Sequence, residues 1–119
     1  MDIPQYTSED LQKQCNNADI LHKTVQQINK DFYSVGVEIE LDPHVADAYW
    51  QLVDKVRFEV NRMVQQNSRQ FFALVYRIDV SEKRVNEVLS GEGDHGKQLA
   101  CILIEREVLK VLFKANFRP

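Results

Sequence analysis

The spacing of apolar residues is the feature that most constrains the fold of this chain. Apolar side chains recur mostly every three or four positions, which places them on one face of an α-helix. Two series show the pattern: Leu11, Ala18, Leu21, Val25, Ile28 and Phe32, followed by Val45, Tyr49, Leu52, Val56, Val60 and Met63. Only four glycines and three prolines interrupt the 119 residues, which favours long elements. The sequence therefore predicts an all-α fold, a compact bundle of four to five helices.

Residues with capping and turn chemistry set the limits of the predicted helices. Asp42 followed by Pro43 is typical of a helix start, with the acid as cap and proline in the first turn. We expect helices over residues 8–33, 43–66, 69–77, 81–90 and 97–115. A break near residues 16–17 is left open, because asparagine has low helix propensity. We expect residues 1–7 to be flexible and residues 8–119 to form a single helical domain.

Residues 35–41 depart from the helical repeat. Three apolar residues alternate there with Glu38 and Glu40, which is the pattern of a strand with one buried face. The chain offers no second strand, and an isolated strand is not stable in water. We therefore predict an extended connector that packs against the helices. The alternative is that the connectors of two copies pair across a dimer.

Two of the predicted helices are expected to supply most of the core. Trp50 and its apolar neighbours widen the apolar face of the helix over 43–66, which places that helix at the centre. The helix over 97–115 is apolar on nearly every side in its first half, which requires burial all round. In its second half, the charged residues Glu107 and Lys110 are expected to mark the solvent side.

Composition bears on where the chain is expected to work. No apolar run approaches the ~20 residues that cross a bilayer, and the acidic, polar N-terminus shows no targeting peptide. Cys15 and Cys101 lie far apart, each within an apolar helical pattern, so we interpret both as reduced, buried thiols. These observations predict a cytoplasmic protein without membrane contact.

The net charge of −3 is unevenly distributed along the chain. Residues 1–40 contain seven acidic and three basic residues, whereas residues 41–119 contain eleven and twelve. Neither part is basic enough to form the positive surface that is typical of nucleic-acid-binding proteins. The charge distribution therefore argues against a nucleic-acid partner.

The segment over residues 91–98 resembles a ligand-binding motif. Its sequence, Gly-Glu-Gly-Asp-His-Gly-Lys-Gln, fits GxxxxGK, the core of the phosphate-binding P-loop. However, Gln98 stands where that family has Ser or Thr to hold magnesium, and too few residues follow for a parallel sheet. Glu92, Asp94 and His95 have metal-binding side chains, but a structural zinc site needs four closed positions. We therefore expect a mobile loop between helices, with no cofactor and no metal.

Residues 80–91 carry a second resemblance. Their sequence is similar to the turn and recognition helix of helix-turn-helix repressors, with a serine cap and two valines that face the preceding helix. The resemblance implies a DNA-binding regulator that acts through residues 69–90. It also implies three major-groove contacts: Lys83, Arg84 and Asn86. The chain departs from the family pattern at the turn, where Asp79 replaces Gly, and at the helix contact, where Val75 replaces Ala.

The sequence contains no pattern that is typical of a catalytic site. No Ser/His/Asp or Cys/His arrangement is apparent, and Glu105 and Glu107 are spaced so that they do not share a helix face. Aromatic residues are plentiful, and they fit either a small-ligand pocket or an ordinary core: Tyr49, Trp50, Phe58, Phe71, Phe72 and Tyr76. The chain is therefore interpreted as non-catalytic.

The function that the sequence favours is a protein–protein interaction or assembly module, which binds a protein partner or forms a homodimer. The first apolar series is narrower than a fully buried helix needs, which favours contact with a partner. The candidate interaction surface combines that series with the connector and one odd aromatic residue: Leu21, Val25, Ile28, Phe32, Val37, Ile39 and Phe58. The alternatives are DNA binding through residues 69–90 and a small-ligand site inside the bundle.

Overall fold

Helices account for most of the chain. A computed structural model describes residues 6–116, in which there are six α-helices, one short 3₁₀ turn and no strand. In chain order, the elements are α1 (Ser8–Gln14), α2 (Ala18–Phe32), the 3₁₀ turn (Tyr33–Val35), α3 (Ala48–Gln66), α4 (Ser68–Ile78), α5 (Glu82–Ser90) and α6 (His95–Asn116). The predicted all-α class is confirmed, with six helices in place of the four to five expected. Most of the predicted flexible segment, residues 1–7, lies outside the described residues.

The first predicted helix, over residues 8–33, is two helices in the structure. The chain turns at residues 15–17, and the Asn17 side chain accepts hydrogen bonds from the N–H groups of Asp19 and Ile20, at 2.9 and 3.3 Å. These N–H groups would otherwise have no partner at the start of α2. The break left open near residues 16–17 is therefore present, because the capping chemistry of Asn17 outweighs the apolar repeat.

The helix predicted over residues 43–66 begins later, at Ala48. The Asp42 carboxylate accepts a hydrogen bond from the N–H group of His44 at 2.9 Å, so it closes a local turn and does not cap a helix. Residues 43–47 form turns and a bend before α3. The three later helices, α4, α5 and α6, begin and end within two residues of the positions expected.

The connector between α2 and α3 has no helix or strand over residues 37–42, and one side chain holds it in place. Gly36 adopts a left-handed backbone with φ of 72°, which ends the 3₁₀ turn. Asn29 on α2 then donates its amide N–H to the Ile39 carbonyl oxygen at 2.9 Å and accepts the Ile39 N–H at 2.7 Å. The Asn29 amide thus supplies hydrogen-bond partners for the N–H and C=O groups of Ile39, which in a sheet would pair with a neighbouring strand. Pairing of connectors across a dimer stays a prediction.

The centre of the fold is α6, which contacts each of the other five helices. Its residues Leu99, Ala100, Leu103 and Ile104 are all at most 1% exposed. A helix that is apolar on all sides needs neighbours on all sides to remove its surface from water. The other helix expected at the centre, α3, packs against α6 and buries Leu52, Val56 and Val60 completely, whereas Trp50 is 46% exposed. Among the described residues, no helix is both long and apolar enough to cross a membrane.

Both cysteines are free thiols that pack in or against the core. Cys15 is buried, and burial raises the pKa of its thiol to about 12. Cys101 is half-buried, and burial also raises its pKa. Neither thiol is therefore an activated nucleophile at neutral pH.

The double hydrogen bond of Asn29 leads to a stability prediction. We expect Asn29→Ala to lower the free energy of unfolding by about 1–3 kcal/mol, because both backbone groups of Ile39 lose their partner. Asn86→Ala on the exposed side of α5 is the matched control, since the side chain of Asn86 makes no hydrogen bond within the described residues. Urea unfolding followed by circular dichroism measures both variants. Equal stability losses in the two variants would contradict the role given to Asn29.

Candidate functional site

A cluster of polar side chains is buried where α2 and α6 pack together. Glu107 on α6 is fully buried, and Asp31 on α2 is 6% exposed. The Lys110 ammonium lies 3.0 Å from Asp31 Oδ2 and 3.1 Å from Glu107 Oε1. The Gln27 amide donates a hydrogen bond to Asp31 Oδ2 at 3.2 Å. Four polar side chains therefore converge inside the bundle, where the sequence indicated none.

Burial and the facing carboxylate keep Glu107 protonated near neutral pH. Burial, together with the hydrogen bond and negative charge of Asp31, raises the pKa of Glu107 to about 8. The Lys110 ammonium, 3.1 Å from Glu107 Oε1, acts in the opposite direction and lowers the pKa, but burial and Asp31 outweigh it. Burial also acts to raise the pKa of Asp31, but hydrogen bonds from Glu107, Lys110 and Gln27 outweigh burial and lower it. The two carboxyl groups thus hold one proton between them.

The position of Glu107 follows from helix periodicity. It lies in a row of α6 residues at four-residue steps, after Leu99 and Leu103 and before Val111, all of which are buried. The prediction that Glu107 marks the solvent side was wrong, because it relied on charge and ignored this row. The row is therefore the sequence signal from which the buried cluster could have been found.

The cluster has the chemistry of a proton-holding site, but it lacks access for a substrate. A carboxyl group with a pKa near neutrality suits a general acid. Glu107, however, has no exposed surface that a substrate atom could reach. Its neighbours are a second carboxyl group, an ammonium and an amide, none of them a typical nucleophile in this state. The arrangement therefore couples folding to protonation more directly than it supports catalysis.

Outside the cluster, a cationic groove runs between α2 and α6. Arg77 from α4 lies 3.7 Å from Asp31, and Lys114 donates a hydrogen bond to the Gln27 amide oxygen at 2.6 Å. Beyond these contacts the groove encloses about 410 Å³ and is lined by Lys23, Gln26, Gln27, Lys30, Val111, Lys114 and Ala115. These seven residues, hereafter the lysine groove, include three lysines and no acidic side chain.

Most residues of the predicted interaction surface lie inside the core. Six of the seven are at most 9% exposed: Leu21, Val25, Ile28, Phe32, Val37 and Ile39. The apolar series on α2 is narrow because buried polar residues, Thr24, Gln27 and Asp31, complete its inward face. In the folded chain these six side chains contact other parts of the same chain. Phe58 is the exception, with 68% of its surface exposed.

Phe58 projects from α3 beside the connector, and acidic residues surround it. The surface there, hereafter the Phe58 surface, is formed by Glu38, Glu40, Asp54, Lys55, Phe58 and Glu59. Glu59 is paired with Arg62 through two hydrogen bonds of 2.8 and 3.1 Å. Within residues 6–116, no basic group lies within ion-pair distance of Glu38, Glu40 or Asp54. An exposed aromatic ring therefore stands among three carboxylates that lack a partner charge.

One backbone feature of the turn between α4 and α5 agrees with the helix-turn-helix resemblance, and the side chains agree in part. Asp79 adopts the left-handed conformation at the turn, with φ of 70°, where the family has glycine. Lys83 and Asn86 are exposed. Arg84 instead lies 3.7 Å from Glu105 on α6. DNA binding through this segment stays a prediction.

The segment before α6 makes contacts within the chain. The Asp94 carboxylate accepts the Lys97 N–H at 3.0 Å and forms an ion pair of 2.7 Å with Arg57 on α3. The Lys97 ammonium lies 5.3 Å from the centre of the Trp50 ring. His95 Nε2 is 2.6 Å from a backbone carbonyl oxygen of the same loop. In the described part of the chain, no three His, Cys, Asp or Glu side chains are grouped to hold a metal.

The aromatic residues considered for a ligand pocket do not share one location. Tyr49 and Phe71 are buried in the core, whereas Trp50, Phe58 and Tyr76 are exposed. Tyr49 and Trp50 meet edge to face, with ring centres 5.0 Å apart. Some of the rings therefore lie in the core and others on the surface, and together they do not line one pocket for a small ligand.

No protein-family model matches the sequence, and no curated protein or solved structure shows a significant match. The function therefore has to be inferred from the chemistry of the chain itself.

The raised pKa of Glu107 predicts how stability depends on pH. The ordinary pKa of this carboxyl is 4.5 and its pKa in the folded chain is about 8, so the folded state holds the proton more tightly. The free energy of unfolding contributed by Glu107 therefore falls as the pH rises from about 4.5 to about 8 and then levels off. Glu107→Gln keeps the shape without a titrating proton, and we expect it to remove this slope. Urea unfolding at stepwise pH measures the effect.

Glu105→Gln is the control for that experiment. Glu105 lies on the same helix but pairs with Arg84, outside the cluster. We expect Glu105→Gln to keep the slope of the unmodified chain. An unchanged slope in Glu107→Gln would show that Glu107 does not hold the proton in the folded state.

Proposed function

We propose that the chain is a non-catalytic assembly module that self-associates through the Phe58 surface. The observation that carries this proposal is an aromatic ring, 68% exposed, beside three carboxylates without an ion-pair partner, in a surface whose only basic lining residue is Lys55. Single exposed apolar residues are common on soluble proteins, so the ring alone would carry little weight. An aromatic anchor with a charged border is the arrangement that protein–protein contacts use for affinity and specificity.

Burial of the Phe58 ring against a partner supplies the attraction. Covering a phenylalanine side chain completely contributes about 1.5–3 kcal/mol. The ring stands on a helix whose inner residues Val56 and Val60 are fully buried, so its backbone is already fixed before binding. The backbone therefore loses little conformational freedom on association, which favours binding through this site.

The acidic rim determines which partner is compatible. Glu38, Glu40 and Asp54 would repel an acidic partner and attract a basic one. The chain itself carries a basic surface in the lysine groove. A second copy of the chain therefore satisfies the charge requirement without another protein.

The distribution of reactive groups favours binding over catalysis. Burial raises the pKa of the thiols of Cys15 and Cys101, which keeps them protonated. Among the described residues, the carboxyl with a strongly raised pKa, Glu107, is enclosed by other side chains. The lysine groove and the Phe58 surface are exposed and carry recognition chemistry.

Sedimentation equilibrium up to about 1 mM protein tests self-association directly. We expect the unmodified chain to associate, and we expect Phe58→Ser to raise the dissociation constant at least about tenfold, since it removes the anchor. Tyr76→Ser is the matched control, because Tyr76 is an aromatic residue on α4 that is 89% exposed. We expect this control to leave association unchanged.

Two results would contradict the proposed function. One is a strictly monomeric unmodified chain across the whole concentration range. The other is an equal loss of association in Phe58→Ser and Tyr76→Ser, which would reduce Phe58 to one exposed aromatic residue among several.

A further inference from the structure

We propose that the lysine groove of one copy receives the Phe58 surface of a second copy. This inference rests on the proposed function and identifies the surface that Phe58 contacts. It is carried by the opposite charges of two surfaces on the same chain and by the apolar floor of the groove.

The three lysines of the groove have few acidic partners within the described part of the chain. Lys30 forms no ion pair with any described residue, and Lys114 is bound by the neutral amide oxygen of Gln27. Lys23 pairs only with Asp19, at 3.2 Å, and both side chains are substantially exposed. Exposed ion pairs of this kind contribute little to the free energy of folding, so Lys23 can pair with an acidic group of a second copy instead. The groove therefore presents three cationic groups to whatever enters it.

The Phe58 surface is the charge complement of the groove. Three carboxylates, those of Glu38, Glu40 and Asp54, lack a basic partner on their own chain. The lining of the groove contains three lysines and no acidic side chain. Opposite surfaces on one chain steer two copies toward each other, whereas like surfaces repel.

The groove also fits the apolar part of the Phe58 surface. Its volume of about 410 Å³ falls within the range of pockets that hold compact ligands. Val111 and Ala115 supply apolar floor, and Gln26 and Gln27 supply amide groups at the wall. An aromatic ring with acidic neighbours can therefore bury its face against the floor while the carboxylates reach the lysines.

The walls of the groove are fixed before the second copy binds. Lys110 joins α6 to Asp31 on α2, and Lys114 joins α6 to Gln27 on α2. These contacts hold the two helices at a set separation, so the groove does not have to form on binding. Preorganisation of this kind increases affinity.

The two surfaces lie on neighbouring sides of α2. Lys30 lines the groove, and the adjacent residue Asn29 binds the connector that carries Glu38 and Glu40. A pair in which each groove receives the Phe58 surface of the other copy would be closed by a two-fold axis, with no such surface left to extend the assembly. We therefore expect a dimer.

Charge-reversed variants test the contact. One variant carries Lys23→Glu and Lys30→Glu, and the other carries Glu38→Lys and Glu40→Lys. All four side chains are exposed, so the fold should be unaffected, which circular dichroism and urea unfolding verify. Lys114 is left in place because it supports Gln27. Sedimentation equilibrium is measured on each variant alone and on an equimolar mixture.

We expect each variant alone to have a dissociation constant raised at least about tenfold, since like charges then face each other. In the mixture, the reversed groove of the first variant faces the reversed Phe58 surface of the second variant. The unmodified Phe58 surface of the first variant faces the unmodified groove of the second, so both contacts join opposite charges. We expect mixing to restore the affinity of the unmodified chain.

The matched control carries Lys13→Glu and Lys83→Glu. Lys13 pairs with an acid four residues away, as Lys23 does, and Lys83 is exposed and unpaired, as Lys30 is. The control therefore makes the same change in net charge outside the groove. We expect it to leave association nearly unchanged, which separates the contact from the effect of overall charge.

Three outcomes would overturn the groove as the acceptor. The first is association in both variants as strong as in the unmodified chain, while Phe58→Ser still weakens it; the proposed function would then stand with a different acceptor. The second is a mixture that stays as dissociated as each variant alone. The third is a loss confined to the variant with Glu38→Lys and Glu40→Lys, which would assign the Phe58 surface to a different acceptor. A monomeric unmodified chain would instead reject the proposed function itself.

Discussion

Burial of the apolar residues of α6 is the constraint on which the rest of the structure depends. Most of its apolar side chains are removed from water, so the five other helices pack against it and leave a stripe that includes Cys101 and Glu105 half-buried. Glu107 lies within one of its buried rows, and a buried carboxyl needs both a partner and its neutral form. Asp31 favours the neutral form of Glu107, and the Lys110 ammonium is its second polar partner. The contact therefore fixes which side of α2 faces inward, because no other rotation brings Asp31 to Glu107.

The same contact determines what α2 presents to solvent. Once Gln27 and Asp31 point inward, the neighbouring lysines point outward and line the groove beside α6. Asn29 holds the connector on an adjacent side of α2, so the glutamates of the connector come to lie next to Phe58. A basic and an acidic surface thus arise from the packing of one helix. Surfaces of opposite charge and an enclosed proton suit assembly better than chemistry on a substrate.

The apolar spacing predicts the all-α class and the last three helices, because caps and periodicity agree in that part of the chain. It fails where a polar side chain acts locally: Asn17 caps a new helix, and Asp42 closes a turn. The buried cluster could not be predicted from charge, since Lys110 and Asp31 are 79 residues apart in sequence. Six of the seven residues of the candidate surface are buried for a simpler reason: they were chosen because they are apolar, and apolar residues pack into the core, whereas Phe58 is exposed.

Native-state hydrogen exchange tests the central position of α6 most directly. If the fold is organised around this helix, the amides of residues 99–112 exchange only through global unfolding, with free energies equal to that of the whole chain and with its full dependence on denaturant. The account predicts that outcome for α6 and lower protection for α1 and α5. Exchange of the α6 amides through local opening, while those of α3 remain protected, would contradict it.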